Sequence, residues 1–128
     1  MIDSLLYWVK EYNIDGFRFD LMGIHDVKTM QAIRWALDEV DPRILTYGEG
    51  WDMGTGLAPY DKAKKDNAHQ MPNIGFFNDN QRDAVKGGEV YGTIKSGFVS
   101  GAATEPIIAK AILGSRELGS YLSPNQVL

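Results

Sequence analysis

The chain has 128 residues, 44% of them hydrophobic, and a formal charge of −4 from 13 basic and 17 acidic side chains. That is apolar material for one core, and residues 1–128 read as part of a single domain. Mild acidity without a basic block argues against a nucleic-acid partner. The absence of cysteine excludes a disulfide scaffold and thiolate metal sites but leaves the compartment open. No apolar run approaches membrane-spanning length, so no membrane partner is expected.

In chain order, residues 3–12 read as a helix, with Ile2, Leu5, Leu6 and Val9 on one stripe, Asp3 or Ser4 at its start and Asn13 at its end. The start of the chain lacks the basic and apolar segments of a signal peptide. Asp15-Gly16-Phe17-Arg18-Phe19-Asp20 then reads as a strand. Alternation puts Phe17, Phe19 and Leu21 on one face, and Arg18 and Asp20 on the other. Asp26 is placed to cap a helix over residues 27–40, where Val27, Met30, Ile33, Leu37 and Val40 recur at helical spacing until Asp41-Pro42 stops it. Ile44 to Gly48 is a second strand, with Glu49 at its C-terminal end.

Residues 50–73 read mostly as loop, a length that is usually functional inside a compact domain. Lys62, Lys64 and Lys65, interleaved with Asp61 and Asp66, read there as a solvated face. Ile74 to Phe77 is a third, short strand, and Asn78 to Lys86 suit a helical turn or two before Gly87-Gly88. After an irregular stretch, Thr104 is placed to cap a last helix with Pro106 in its first turn, Ile107, Ile108, Ala111 and Ile112 as the buried stripe and Gly114 at its end. The tail from Ser115 has no strong pattern. Strands alternating with helices imply an α/β fold with a parallel sheet and right-handed crossovers. The first two strands should lie side by side with their C-terminal ends at one edge.

That arrangement matters because Asp20 and Glu49 each end a strand, 29 positions apart. Adjacent strands lie about 4.8 Å apart. Carboxylates at the same edge can therefore reach the separation of about 5–5.5 Å used by retaining glycosidases, where one attacks the anomeric carbon and the other serves as acid and then base. Arg18 beside Asp20 favours an ionised nucleophile, and an apolar Trp51 ring near Glu49 would favour a protonated acid. Gly48 and Gly50 suit close approach of a substrate to the backbone. The alternative, a structural ion pair at Arg18–Asp20 and an unrelated surface acid at Glu49, stays open on these residues alone. A metal or phosphate site is disfavoured: the two histidines, His25 and His69, are far apart, and Gly54-Thr55-Gly56 lacks the lysine and hydroxyl of a phosphate loop. No residue points to a cofactor.

Three stretches carry a family resemblance. DGFRFDLMG (Asp15–Gly23) and YGEGW (Tyr47–Trp51) resemble the nucleophile and acid/base regions of the alpha-amylase superfamily, glycoside hydrolase family 13. With FFNDNQRDAVKG (Phe76–Gly87) they are most similar to type I pullulanases, which hydrolyse α-1,6-glucosidic bonds in pullulan and branched starch. The resemblance implies a partial (β/α)8 TIM barrel, about strands 4 to 6, and an α-glucan as substrate. It makes Asp20 the nucleophile, Glu49 the general acid/base and Arg18 the residue orienting the nucleophile. It puts Trp51, Asp52, Phe76, Asn78 and Asp79 in or near the substrate cleft, with barrel packing as the other explanation of those five. The superfamily's third acidic residue follows a histidine on a later strand, and its counterpart is absent here. His25-Asp26 sits just after the nucleophile and reads as a polar loop residue and a helix cap. The expectation is therefore a segment of a larger hydrolase with little activity of its own. An α-1,4-acting member of the superfamily and a non-catalytic carbohydrate-binding remnant are the alternatives.

Overall fold

A computed structural model of the chain describes residues 1–88 and 95–112. It divides into two compact units, Met1–Phe77 and Asn78–Leu128. The first contains helix α1 (Ile2–Tyr12), strand β1 (Gly16–Phe19), helix α2 (Val27–Asp38), strand β2 (Leu45–Gly48) and strand β3 (Gly75–Phe76). The strands form a parallel sheet in the order β1-β2-β3, so the expected α/β architecture holds. The register pairs Arg18 with Tyr47, Phe19 with Gly48, and Gly48 with Phe76.

Each helix forms for reasons visible locally. Helix α1 ends where Asn13 turns left-handed at φ 52°, a conformation asparagine tolerates. Its stripe faces inward: Val9 is buried, and Ile2, Leu5 and Leu6 pack against the core. The other side of α1 shows a cluster of exposed rings, Tyr7, Trp8 and Tyr12. Asp26 caps α2 as expected, accepting from the Thr29 N–H at 2.8 Å and the Thr29 hydroxyl at 2.7 Å. The Thr29 hydroxyl first, and its N–H second, hold the Asp26 carboxyl below the usual carboxylate range. Val27, Met30, Ile33 and Leu37 enter the core with Met22, Ile44, Met71, Ile74 and Phe76. Val40 does not: α2 stops at Asp38, and Val40 is exposed. Asp41 then closes on Arg43, whose guanidinium and N–H hold the Asp41 carboxyl at about 2.

One charged residue is built into this core. Arg34 is 4% exposed and ties α2 to β2, donating to the Ile44 carbonyl at 2.6 Å and the Thr46 hydroxyl at 2.7 Å while pairing with Asp38 at 2.8 Å. The helices cover the sheet face that carries Phe17, Phe19, Thr46 and Phe76. The opposite face carries Arg18, Leu45 and Tyr47, and Leu45 is 54% exposed.

The stretch 50–73 is more ordered than a loop. Residues Lys65–Gln70 form a 3₁₀ helix, and Asp26 and Lys62 form an antiparallel bridge. The bridge is closed by Val27 N–H to the Asp61 carbonyl at 2.8 Å and Ala63 N–H to the His25 carbonyl at 2.9 Å. The lysines are not a solvated face. Lys62 and Lys64 side chains are 11% and 12% exposed, and they grip Asp52 through Oδ1 at 2.8 Å and Oδ2 at 2.9 Å. Lys62 also donates to the Met53 carbonyl. The expectation failed because charge alternation in sequence cannot tell a solvated run from lysines folded back on an aspartate ten or twelve positions earlier.

The second unit contains helix α3 (Asp79–Lys86), a 3₁₀ turn at Phe98–Ser100, and helix α4 (Glu105–Ile112). Asn78 caps α3 by accepting from the Gln81 N–H at 3.1 Å, and Gly87, at φ 105°, ends it. Thr104 precedes α4, and its hydroxyl donates to the Ala84 carbonyl of α3. The expected buried stripe of α4 fails at two positions: Ile107 and Ile112 are 49% and 71% exposed, while Ile108 is half-buried. Helical spacing marks a face and does not say whether anything covers it. The Ala111 side chain, Gly114 and the tail lie outside the described residues.

Two outcomes follow. Arg34→Met should strand the Thr46 hydroxyl and the Ile44 carbonyl in the core, lowering unfolding free energy by about 1–3 kcal/mol in a denaturant titration. Asp52 gives a pH dependence. Lys62 first, then Lys64, hold its carboxyl at about 2, below its ordinary 3.8. The stabilisation is complete above pH 3.8 and is lost as pH falls through about 2. Melting temperatures between pH 5 and pH 2 should therefore fall more steeply for the native chain than for Asp52→Asn.

Candidate active site

The parallel register of β1 and β2 places Asp20 and Glu49 just beyond the same sheet edge, as the crossover rule required. Continuing the paired rows past Phe19 and Gly48 sets the two acids opposite each other, and Glu49 N–H donates to the Phe19 carbonyl at 3.0 Å. Arg18 stands between them. Its Nη1 lies 3.0 Å from Asp20 Oδ1, and its Nη2 donates to Glu49 Oε1 at 2.9 Å. One planar guanidinium thus holds both carboxylates, one on each nitrogen. The sequence paired Arg18 with Asp20 alone; its bond to Glu49 needs the register.

The rest of the site fixes these three groups. Leu21 is left-handed at φ 46°, a conformation that costs a β-carbon residue about 1–2 kcal/mol. This ends β1, takes Leu21 off the face shared by Phe17 and Phe19, and turns its N–H onto Glu49 Oε2 at 3.1 Å. The Gly23 N–H then donates to the Glu49 carbonyl at 3.0 Å. The Glu49 carboxylate is consequently gripped by a guanidinium and a backbone N–H, and its side chain is 21% exposed against 73% for Asp20. The two acids occupy different surroundings, one partly enclosed and one open to solvent.

Phe77 was not foreseen. Its ring lies under the Arg18 guanidinium, 5.5 Å from ring centroid to Cζ, and meets Tyr47 edge-on at 5.7 Å. A cation over an aromatic face is attracted by the ring quadrupole. The register explains why Phe77 and not Phe76 serves: Phe76 pairs with Gly48 and points to the core, where it is 1% exposed, so the next residue returns to the face of Tyr47 and Arg18. The Phe76-Phe77 doublet was a usable signal, since one ring of such a pair must oppose the other. Register alone says which.

The glycines around Glu49 also have a reason in the packing of the protein itself. A β-carbon on Gly48 would meet the Phe19 carbonyl oxygen at 2.6 Å, and one on Gly50 would meet the Phe76 ring at 2.4 Å. The protein's own atoms crowd both positions. Trp51 presents its carbonyl to Gly23, where no β-carbon fits. Asp52 has both oxygens occupied by lysines. Asn78 and Asp79 belong to the second unit, as the cap and first residue of α3. Among the described residues no cluster of three or more acids or histidines could hold a metal ion.

Comparisons bear on what this constellation belongs to. No family model matches the chain. Bacillus subtilis (strain 168) pullulanase is 53% identical over 85 residues, covering 66% of this chain and 12% of that protein. Chloroplastic pullulanase 1 of Arabidopsis thaliana is 38% identical over 117 residues, covering 81% of this chain and 12% of that protein. Among solved structures, Paenibacillus barengoltzii pullulanase in complex with maltohexaose and alpha-cyclodextrin superposes with a TM-score of 0.85 at 47% identity over 99% of this chain and 19% of that one. Type I pullulanase from Bacillus subtilis str. 168, complexed with maltose, gives a TM-score of 0.87 at 41% identity over 97% of this chain and 17% of that one. The chain therefore spans under a fifth of the length of these relatives. Over most of its length the chain therefore corresponds in sequence and fold to a segment of pullulanases, type I among them.

Proposed function

We propose that this chain supplies two of the catalytic carboxylates of an α-glucan debranching hydrolase, which cleaves α-1,6-glucosidic bonds with retention of anomeric configuration. The observation that carries the reading is the single guanidinium of Arg18 holding Asp20 and Glu49 at the ends of adjacent parallel strands. Asp20, the more open acid, is the nucleophile that attacks the anomeric carbon. Glu49, partly enclosed, takes up a proton before it protonates the departing glycosidic oxygen; as the carboxylate that Arg18 holds, it then takes a proton from the water that releases the sugar. Arg18 fixes both oxygens relative to each other, and Phe77 and the Leu21 N–H hold the arrangement. Trp51 and Asp52 belong to the loop bordering the cleft, with Asn78 and Asp79 beyond the third strand; Phe76 contributes packing.

In this reading β1, β2 and β3 are strands four to six of an eight-stranded barrel. The sheet supports that view. Parallel sheets are normally covered on both faces, yet the face of Leu45 and Tyr47 is open while the other is sealed by α1 and α2. Residues at the C-terminal ends of such strands are the usual site of barrel chemistry. The substrate follows from kinship: related pullulanases hold maltose and maltohexaose in their crystals.

The proposal makes two separable predictions. The purified 128-residue chain should release few or no reducing ends from pullulan, and turnover abolished by Glu49→Gln would overturn the view that the rest of the enzyme is required. In a family-length enzyme containing this stretch, Asp20→Asn and Glu49→Gln should each lower pullulan turnover by roughly 10²–10⁴-fold, and unaltered rates would remove both assignments. Comparing α-1,6- with α-1,4-linked substrates in that enzyme checks linkage.

A further inference from the structure

A concavity lies in the first unit, and neither Asp20 nor Glu49 lines it. It opens between the first turn of α2 and residues 57–61, and its volume is about 340 Å³. That falls within the ~300–1,000 Å³ range of small-molecule pockets. Lys28, Gln31, Tyr60, Asp61 and Gln70 are among the residues that line it. We propose that it is an accessory subsite for a neutral α-glucan segment, with the Tyr60 ring as platform and Gln31, Gln70 and Asp61 as partners for sugar hydroxyls. The choice of glucan as ligand rests on the function proposed above.

Three observations carry this. First, Tyr60 is 65% exposed and stands on a hydrogen-bonded segment. The segment around it is pinned by Asp61 N–H to the Ala58 carbonyl at 2.9 Å, by Asn67 Nδ2 to the Pro59 carbonyl at 2.8 Å, and by Gln70 Nε2 to the Tyr60 carbonyl at 3.0 Å. His69 lies beside the ring at 6.5 Å. A large ring displayed on a fixed loop offers contact area at little cost in ordering. Second, the two amides form a chain. Gln31 Nε2 donates to the Gln70 carbonyl at 2.7 Å, and Gln70 Nε2 donates to the Tyr60 carbonyl. Carbonyl acceptors fix each NH2 group, so each amide oxygen is oriented and available to accept from a hydroxyl. Third, the charges do not single out an anion. Asp26 already occupies the N-terminal turn of α2 through Thr29 N–H, and in the wall the Asp61 carboxylate is matched by the Lys28 ammonium. Ring, amides and a carboxylate suit a polyhydroxyl ligand with an apolar face.

The pocket is mechanically continuous with the catalytic rim. Its wall passes into Lys62, which bridges to Asp26 and grips Asp52, three residues after Glu49.

The test uses a family-length enzyme containing this stretch, with Tyr60→Ala and Tyr60→Phe compared by pullulan kinetics and by calorimetric binding of maltotetraose. Thermal melts verify folding. Tyr60→Ala should raise KM for pullulan and weaken one class of maltotetraose binding by about fivefold, the scale of one stacked ring, while Tyr60→Phe restores both. Unchanged KM and binding in Tyr60→Ala would overturn the subsite and leave the hydrolase assignment standing. Absence of pullulan turnover in the unmutated enzyme would instead remove the hydrolase assignment, and the calorimetry would then decide the pocket alone.

Discussion

The Arg18 guanidinium between Asp20 and Glu49 is the contact on which the rest of the site depends. Two carboxylates at one edge repel each other unless a cation lies between them, and a flat fork with separate nitrogens can serve both at once. Lysine, with a single nitrogen, could not give each acid its own donor in fixed directions. The arrangement in turn requires the parallel register that sets Arg18 beside Tyr47, because a slip by one residue would turn Arg18 to the helix-covered face. It also requires the left-handed Leu21, whose strain is offset by the bond its N–H makes to Glu49.

Around this centre, the loops behave as scaffold. Asp52 draws Lys62 and Lys64 back across the stretch that follows Glu49, and the Asp26–Lys62 bridge joins that stretch to the cap of α2. Close backbone contacts at Gly23, Gly48 and Gly50 leave no room for a β-carbon. Catalysis by paired carboxylates needs their positions held to fractions of an ångström, and a rim of short, mutually braced segments can do that where free loops could not. Both the carboxylate pair and the Tyr60 pocket belong to this braced rim.

Much of the fold was legible from local pattern. The stripe of α1, the stripe of α2 as far as Leu37, the Asp26 cap and the two strands followed by acids all reflect short-range sterics and hydrogen bonding, which act on a few neighbouring residues. The misses have one cause in common. The exposure of Ile107 and Ile112, the folding of Lys62 and Lys64 onto Asp52 and the choice of Phe77 over Phe76 each depend on which distant segment arrives beside the residue.

By itself, then, the amino-acid order determined the element types, the strand-helix-strand crossover and, through its motifs, kinship with pullulanases. Handedness and period are local and chiral, so they can be read residue by residue. Only the tertiary structure decided that Arg18 serves both acids, that Phe77 braces it, that Asp52 is held by two lysines and that a pocket opens beside Tyr60. These are contacts between segments far apart in the chain, selected by register and by the packing of α1 and α2 on the sheet, and no local pattern specifies them.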